Sequence, residues 1–309
     1  MENQEHPKYA FFQGSIVPVT EAKVDIRTSA LQYGIAVFEG IRCYWNKNES
    51  TNYVFRMRDH YERLFNSAGI MMIKIKYSID ELCGITVELL RKEGYREDSY
   101  VRPFAYNSGL KIGPKLGDAN QDLFIYSIPL GEYLDINKPN KVCISSWTRL
   151  PDNCIPPRAK ISGSYVNAAI QKTEAILNGY DEAIVLTSNG QHISEGSAMN
   201  IFMVKNGTLI TPPVTDDILE GITRDTVIRI AEEILDIKVA ERSIDRTELY
   251  TADELFFCGT GAQISPIGNV DNRPVNDGNM GPLTKRLQEQ YFKIVKNQVS
   301  KYKDWCTKI

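Results

Sequence analysis

The sequence predicts an α+β (mixed α/β) chain folded as two domains. Three observations predict it. Short alternating apolar runs and helix-period stretches are interleaved along the chain. A Pro-, Gly- and Asn-rich stretch, Pro129 to Asn140, breaks the pattern once. The length, 309 residues, is enough for two hydrophobic cores. The division read from this is a smaller N-terminal domain over 1–128, a linker over 129–140 and a larger C-terminal domain over 141–309.

The N-terminal elements follow in order. Ala10 to Val17 reads as strand, Gly14 turn, strand. Residues 28 to 40 carry apolar groups at Leu31, Ile35, Val37 and Phe38 and close at Gly40. Ile41–Trp45 and Asn52–Arg56 pair as a hairpin across the polar turn 46–51. Arg58–Asn66 has helical spacing through Tyr61, Leu64 and Phe65. Ser78–Glu93 is a helix opened by a capping box, Ser78 with Glu81. Val101–Tyr106 and Leu123–Ile128 are strands.

Beyond the linker, Val142–Ser146 is a strand. Gly163–Asn178 is a helix stopped by Gly179. Ala183–Leu186 and Asn200–Val204 are strands, with turns at Asn189-Gly190 and Asn206-Gly207. Glu195 falls in a polar turn between them. Thr223–Leu235 is amphipathic, with Val227, Ile230, Ala231 and Ile234 on one face. Leu255–Cys258 is a short buried strand, and Pro282–Lys296 a closing helix.

Composition excludes several classes. The formal net charge is -3, so nothing asks for nucleic acid. The basic cluster from Lys285 to Lys308 is broken by acids and aromatics and reads as a solvated helical face. The six cysteines form no C-x-x-C pair and there are three histidines, so no metal site is expected. The polar, acidic N-terminus is no signal peptide, and no apolar run is long enough to span a bilayer. Scattered cysteines point to the cytoplasm.

Four segments carry the chemistry. They are Ala159-Lys160-Ile161-Ser162-Gly163-Ser164-Tyr165, Ile193-Ser194-Glu195-Gly196-Ser197, Leu219-Glu220-Gly221-Ile222-Thr223-Arg224 and Cys258-Gly259-Thr260-Gly261-Ala262. A lysine that can form an imine, an acid that can hold a ring-nitrogen proton, and two Gly/Thr loops suited to a phosphate describe a pyridoxal-phosphate site. Gly221-Ile222-Thr223 opens a helix, which sets amides and a hydroxyl at a positive helix end. Asp217 and Glu220 flank that loop, but their charge argues against contact with a phosphate.

From about Phe12 to Trp305 the chain resembles the class IV, or fold-type IV, pyridoxal-phosphate enzymes, and among them the branched-chain amino acid aminotransferases. The matching motifs include Leu31-Gln32-Tyr33-Gly34, Val37-Phe38-Glu39-Gly40-Ile41-Arg42, Tyr100-Val101-Arg102-Pro103, Ser145-Ser146-Trp147 and Asn153–Lys160. The resemblance implies a two-domain fold with the cofactor between the domains, and assigns roles. Lys160 would hold the cofactor covalently and then carry the substrate Cα proton. Glu195 would pair with the pyridine nitrogen, and Tyr165 with the ring oxygen. Arg63, Gly221, Ile222, Thr223 and Thr260 would hold the phosphate. Tyr100 with the amides of Thr260 and Gly261 would receive the substrate carboxylate. Tyr33, Phe38, Gly40 and Tyr133 would wall an apolar pocket, and Arg102 would take the distal carboxylate of glutamate.

The implied reaction moves the amino group of L-leucine, L-isoleucine or L-valine to 2-oxoglutarate, with pyridoxamine phosphate as the cofactor's other form. The implied assembly is at least a homodimer, with no nucleic-acid or membrane partner. Two departures leave alternatives open. Met199 stands where many branched-chain enzymes carry an acid, and Tyr106–Pro114 fits the family's interdomain loop poorly. An R-selective amine or D-amino acid transaminase is the first alternative and an aminodeoxychorismate lyase the second. Arg102 speaks for the branched-chain reading.

Overall fold

The computed structural model describes residues 7–117, 120–131 and 134–309. Strands β1 (Tyr9–Phe12) and β2 (Ser15–Pro18) turn at Gln13-Gly14, both at positive φ. A one-turn helix, α1 (Ser29–Tyr33), ends at Gly34 in the left-handed region. There a Cβ would be strained and would also press on the Gly163 backbone. β3 (Ala36–Phe38), β4 (Ile41–Asn46) and β5 (Thr51–Phe55) follow. α2 (Met57–Ile70) runs four residues past the expected Asn66. α3 (Ile79–Glu93) carries the expected Ser78–Glu81 capping box. β6 (Ser99–Asn107) and β7 (Gln121–Pro129) complete this stretch.

The second half continues with β8 (Asn140–Thr148), α4 (Tyr165–Leu177), β9 (Glu182–Leu186), β10 (Ile193–Gly196), β11 (Asn200–Lys205) and β12 (Thr208–Thr211). Then come α5 (Ile222–Glu233), β13 (Val239–Glu241), β14 (Glu254–Gly259), β15 (Gln263–Val270), β16 (Arg273–Pro274), α6 (Pro282–Val295) and β17 (Cys306–Lys308). One expectation is corrected here. Glu195 lies on a strand, β10, not in a polar turn, and all four residues of that strand are buried.

The chain divides into two compact units. The first comprises Met1–Gly131, Ala159–Gly163 and Lys293–Ile309. Among the described residues its sheet has eight strands in the order β17-β5-β4-β6-β7-β1-β2, with β3 on β6. All these pairs are antiparallel. The buried stripes of α2 (Tyr61, Leu64, Ala68) and α3 (Leu82, Leu89, Leu90) build its core. The C-terminal strand joins from far along the chain, with Cys306 opposite Phe55. Beside it the Arg56 guanidinium stacks 4.7 Å from the Trp305 ring.

The second unit comprises Glu132–Arg158 and Ser164–Phe292. Among the described residues its sheet has nine strands in the order β10-β9-β8-β15-β14-β11-β12-β13, with β16 on β15. The sheet is mixed: β8 runs parallel to β9 and β15, and β12 to β13. Val142, Ile184, Ile201, Met203, Leu255, Phe257 and Ile267 form its main core. Among the described residues, no helix is long and apolar enough to cross a membrane.

Glu254, at the start of β14, is 7% exposed and caps α6. The amides of Leu283 and Thr284 and the Thr284 hydroxyl donate to its carboxylate at 3.0, 2.7 and 2.7 Å. A negative group at a helix N-terminus is favoured by the orphan amides and the dipole. Glu254→Ala should therefore cost about 1–3 kcal/mol, read as a lower denaturation midpoint. An unchanged midpoint would show that this cap carries no stability.

Candidate active site

In the first unit, one strand edge gathers several predicted residues. The main chain of β3 and the lysine segment interlock. The Phe38 amide donates to the Lys160 carbonyl at 3.1 Å, and Val37 bridges Ile161. The Lys160 amide donates to the Ser67 hydroxyl at 3.1 Å. This fixes the lysine backbone against α2, and its Nζ lies 5.1 Å from the Phe38 ring centre. Arg102 stands 4.5 Å from the same ring and 5.2 Å from that of Tyr100, and donates to the Tyr100 hydroxyl at 3.0 Å. Tyr100 in turn rests on Gly40, where any Cβ would overlap its ring and hydroxyl. Phe38, Gly40, Tyr100, Arg102 and Lys160 therefore form one cluster.

Tyr33 stands apart from that cluster. It is 38% exposed, and its hydroxyl accepts the Gly113 amide at 3.0 Å. Tyr133 lies outside the described residues.

Arg63 has a partner that sequence reasoning missed. Its Nε and Nη2 lie 2.7 and 2.9 Å from the two oxygens of Glu39, a fully buried carboxylate. His60 Nδ1 lies 2.8 Å from the same group. Burial alone would raise the Glu39 pKa. The Arg63 charge and the bonds from Arg63 and His60 overcome that and hold it below the usual carboxylate range. Burial pushes His60 below its ordinary value, outweighing the pull of Glu39. The imidazole is then neutral at pH 7, with Nδ1–H donating.

In the second unit, Glu195 is 2% exposed and its carboxylate is held on both sides. Arg149 Nη2 lies 2.6 Å from Oε1. Asn200 Nδ2 donates to Oε2 at 2.9 Å and the Leu219 amide at 3.3 Å. Asn200 also donates to the Leu219 carbonyl at 2.9 Å. A single amide side chain thus ties the acid to the loop that opens α5. The loop packs on it so closely that a Cβ at Gly221 would overlap Asn200 Oδ1.

Gly221 is the N-cap of α5 and offers that helix no side-chain cap. Ile222 and Thr223, in the first turn, are 8% and 3% exposed. Thr260 and Gly261 form the turn after β14, whose Cys258 pairs with Asn200 of β11. Tyr165 is the first residue of α4 and half-buried. Asp217 accepts the Ser188 amide, and Glu220, half-exposed, faces Arg158.

This donor set fits pyridoxal phosphate. A buried carboxylate suits a ring N–H⁺, and a helix start with no side-chain cap suits a phosphate. Asn200 holds the two features together in one unit.

Glu39, His60, Arg149 and Asn200 were not singled out from the sequence. Glu39 lies inside the quoted Phe38-Glu39-Gly40 motif, and His60 is one helical turn before Arg63. Those two carried a signal, whereas Arg149 is 46 residues from Glu195 by numbering and carried none.

Comparison with known proteins decides the family. The family model for class IV amino-transferases matches residues 36–270. The chain belongs to the class IV aminotransferases. This aminotransferase is 49% identical over 301 residues to a probable branched-chain-amino-acid aminotransferase of Aquifex aeolicus, covering 97% of this chain and 96% of the relative. It superposes with a TM-score of 0.93 on the Thermoproteus uzoniensis branched-chain aminotransferase crystallised with norvaline, at 43% identity and 98% and 99% coverage of the two chains. For the Thermobaculum terrenum branched-chain amino acid aminotransferase in its PLP form the TM-score is 0.94, at 41% identity and 99% coverage of both.

The Glu195 network makes a stability prediction for the aminotransferase. Arg149→Leu leaves a buried carboxylate without its cation and should cost about 3–5 kcal/mol, measured by chemical denaturation. Arg149→Lys should recover part of the loss. A cost below about 1 kcal/mol for Arg149→Leu, the worth of an exposed pair, would mean that Glu195 is not held as an ion.

Proposed function

We propose that this class IV enzyme is a branched-chain amino acid aminotransferase that uses pyridoxal phosphate. It moves the amino group of L-leucine, L-isoleucine or L-valine to 2-oxoglutarate, giving the 2-oxo acids and L-glutamate. One observation carries the substrate reading: the Arg102 cation stacks on Phe38 and bonds Tyr100. An apolar aromatic wall with one cation built into it suits both an aliphatic side chain and the distal carboxylate of glutamate.

The bound cofactor supplies an aldehyde carbon for amine exchange and a protonated ring that draws electron density from the substrate. The chain's residues do the rest. Lys160 would hold the cofactor through its amine, and the same amine would carry the proton at the substrate Cα. Glu195 holds the proton on the ring nitrogen. Tyr165 bonds the ring oxygen. Arg63, the amides of Gly221, Ile222 and Thr223, and the hydroxyls of Thr223 and Thr260 hold the phosphate. Tyr100 and the Thr260 and Gly261 amides receive the α-carboxylate. Phe38 and Gly40 wall the apolar pocket, and Tyr33, apart from that cluster within one copy, would join the wall from the second copy of the homodimer.

Met199, the departure that opened the amine-transaminase alternative, is 5% exposed and belongs to the core of the second unit, among Ile193, Ile201 and Phe257. It supports neither substrate class. The assembly we propose is at least a homodimer. Val166, Ile170 and Leu177, at helical spacing on α4, are 64%, 37% and 81% exposed, an apolar face suited to a second copy. Six free cysteines accord with the cytoplasm.

Borohydride reduction of the holoenzyme should fix the cofactor on Lys160, read by peptide mass. Label on another lysine would remove the centre of the reading. Lys160→Ala should lose turnover by several orders of magnitude, since it removes both the anchor and the proton carrier.

Arg102→Ala should damage the glutamate half-reaction far more than the leucine one. The expected gap is about 2–4 kcal/mol in the two kcat/KM values, read by single turnover with each amino acid. Equal losses would make Arg102 structural or an α-carboxylate ligand.

A further inference from the structure

We propose that Glu39 is a positioning residue for the cofactor phosphate: it holds the Arg63 guanidinium in one orientation, and His60 holds Glu39. The inference rests on the reading of Arg63 as a phosphate ligand and goes one step behind it.

Three observations carry it. First, the contact is side-on. Both Glu39 oxygens engage Arg63, through Nε and Nη2. A planar guanidinium bound by that edge pivots only as one piece with the carboxylate, so the direction of its Nη1 edge is set. Second, Glu39 itself is anchored. It is 0% exposed and sits in the two-residue step between β3 and β4. Its amide donates to the Pro103 carbonyl at 2.9 Å, and the Gly40 amide lies 3.3 Å from Oε2. Third, His60 and Arg63 are three residues apart on α2 and share a helix face. The neutral imidazole adds a donor to Oε2 without a second cation.

The arrangement sets two physical effects against each other. Glu39 cancels the charge of Arg63, which by itself weakens attraction for a dianion. It also removes the orientational freedom of a long side chain, which strengthens a geometric contact. Both Glu39 oxygens engage one edge of Arg63, and the proposal is that orientation wins. Glu39 also lies between Phe38 and Gly40 in the chain, so the same short step carries two substrate-wall residues and the phosphate orienter.

The test strips the holoenzyme of cofactor and titrates it with pyridoxal phosphate and with pyridoxal, which lacks the phosphate. Binding is read by quenching of protein fluorescence. The proteins are the wild type, Glu39→Gln, Arg63→Ala, their double variant and Arg63→Lys. Glu39→Gln should weaken pyridoxal phosphate by about tenfold or more, the scale on which outer partners act on ligating groups. Pyridoxal affinity should not move. The double variant should be no weaker than Arg63→Ala alone, and Arg63→Lys should lose nearly as much as Arg63→Ala.

Tighter or equal binding by Glu39→Gln would mean that net charge, not orientation, governs the cup, and would overturn the proposal. So would an equal loss for pyridoxal, or additivity with Arg63→Ala. If Glu39→Gln does not fold, Arg63→Lys decides: full affinity there shows that a point charge suffices. If Arg63→Ala leaves pyridoxal phosphate binding intact, the phosphate role of Arg63 falls and the inference with it. If only the Glu39 and Arg63→Lys arms fail, that role stands.

Discussion

A carboxylate buried to 2% exposure is tolerated only when something in the protein replaces water around it. Glu195 meets that demand with Arg149 on one oxygen, and Asn200 and the Leu219 amide on the other. Removing an ion of this kind from water costs several kcal/mol, and a partner cation with additional hydrogen bonds offsets it. The second unit is arranged around this constraint. β10 brings the acid, the segment after β8 brings the arginine, and β11 brings the amide. The loop before α5 is tied to the same amide, so the acid and the helix start hold a set relation.

The first unit solves the same problem differently. Its buried acid, Glu39, faces an arginine and a histidine from one helix, and burial keeps that histidine neutral. In both units, then, a residue aimed at the cofactor in the proposed function is tied to a partner of opposite charge. Arg63 is tied to Glu39, and Glu195 to Arg149. Such pairing fixes geometry more than it adds stability, which is what a site needs if its groups are to meet a cofactor without reorganising. The Phe38 ring plays a related part, with the Arg102 guanidinium 4.5 Å and Lys160 Nζ 5.1 Å from its centre.

Much of this was legible in the sequence, and what was not has a common cause. The Ser78–Glu81 cap, the β4–β5 hairpin, the helix opened by Gly221 and the lysine segment all rest on short-range patterns, which sequence carries directly. Glu195 was misplaced in a turn because Ser194-Glu195-Gly196 is locally polar. It lies on a buried strand, where Arg149 pairs with its charge and Asn200 donates a hydrogen bond to it from elsewhere in the fold. Arg63 was read as a phosphate ligand with no protein partner for the same reason: Glu39 comes from another element. The pairing of β17 with β5 spans almost the whole chain, and no periodicity within either strand announces it.

The account depends most on Glu195 acting as an ion toward the cofactor ring. The direct test is the ring-nitrogen chemical shift of pyridoxal phosphate labelled with ¹⁵N at that atom and bound to the wild type and to Glu195→Gln. The account predicts a protonated ring nitrogen in the wild type and loss of that proton in the variant. The same shift in both proteins would contradict it.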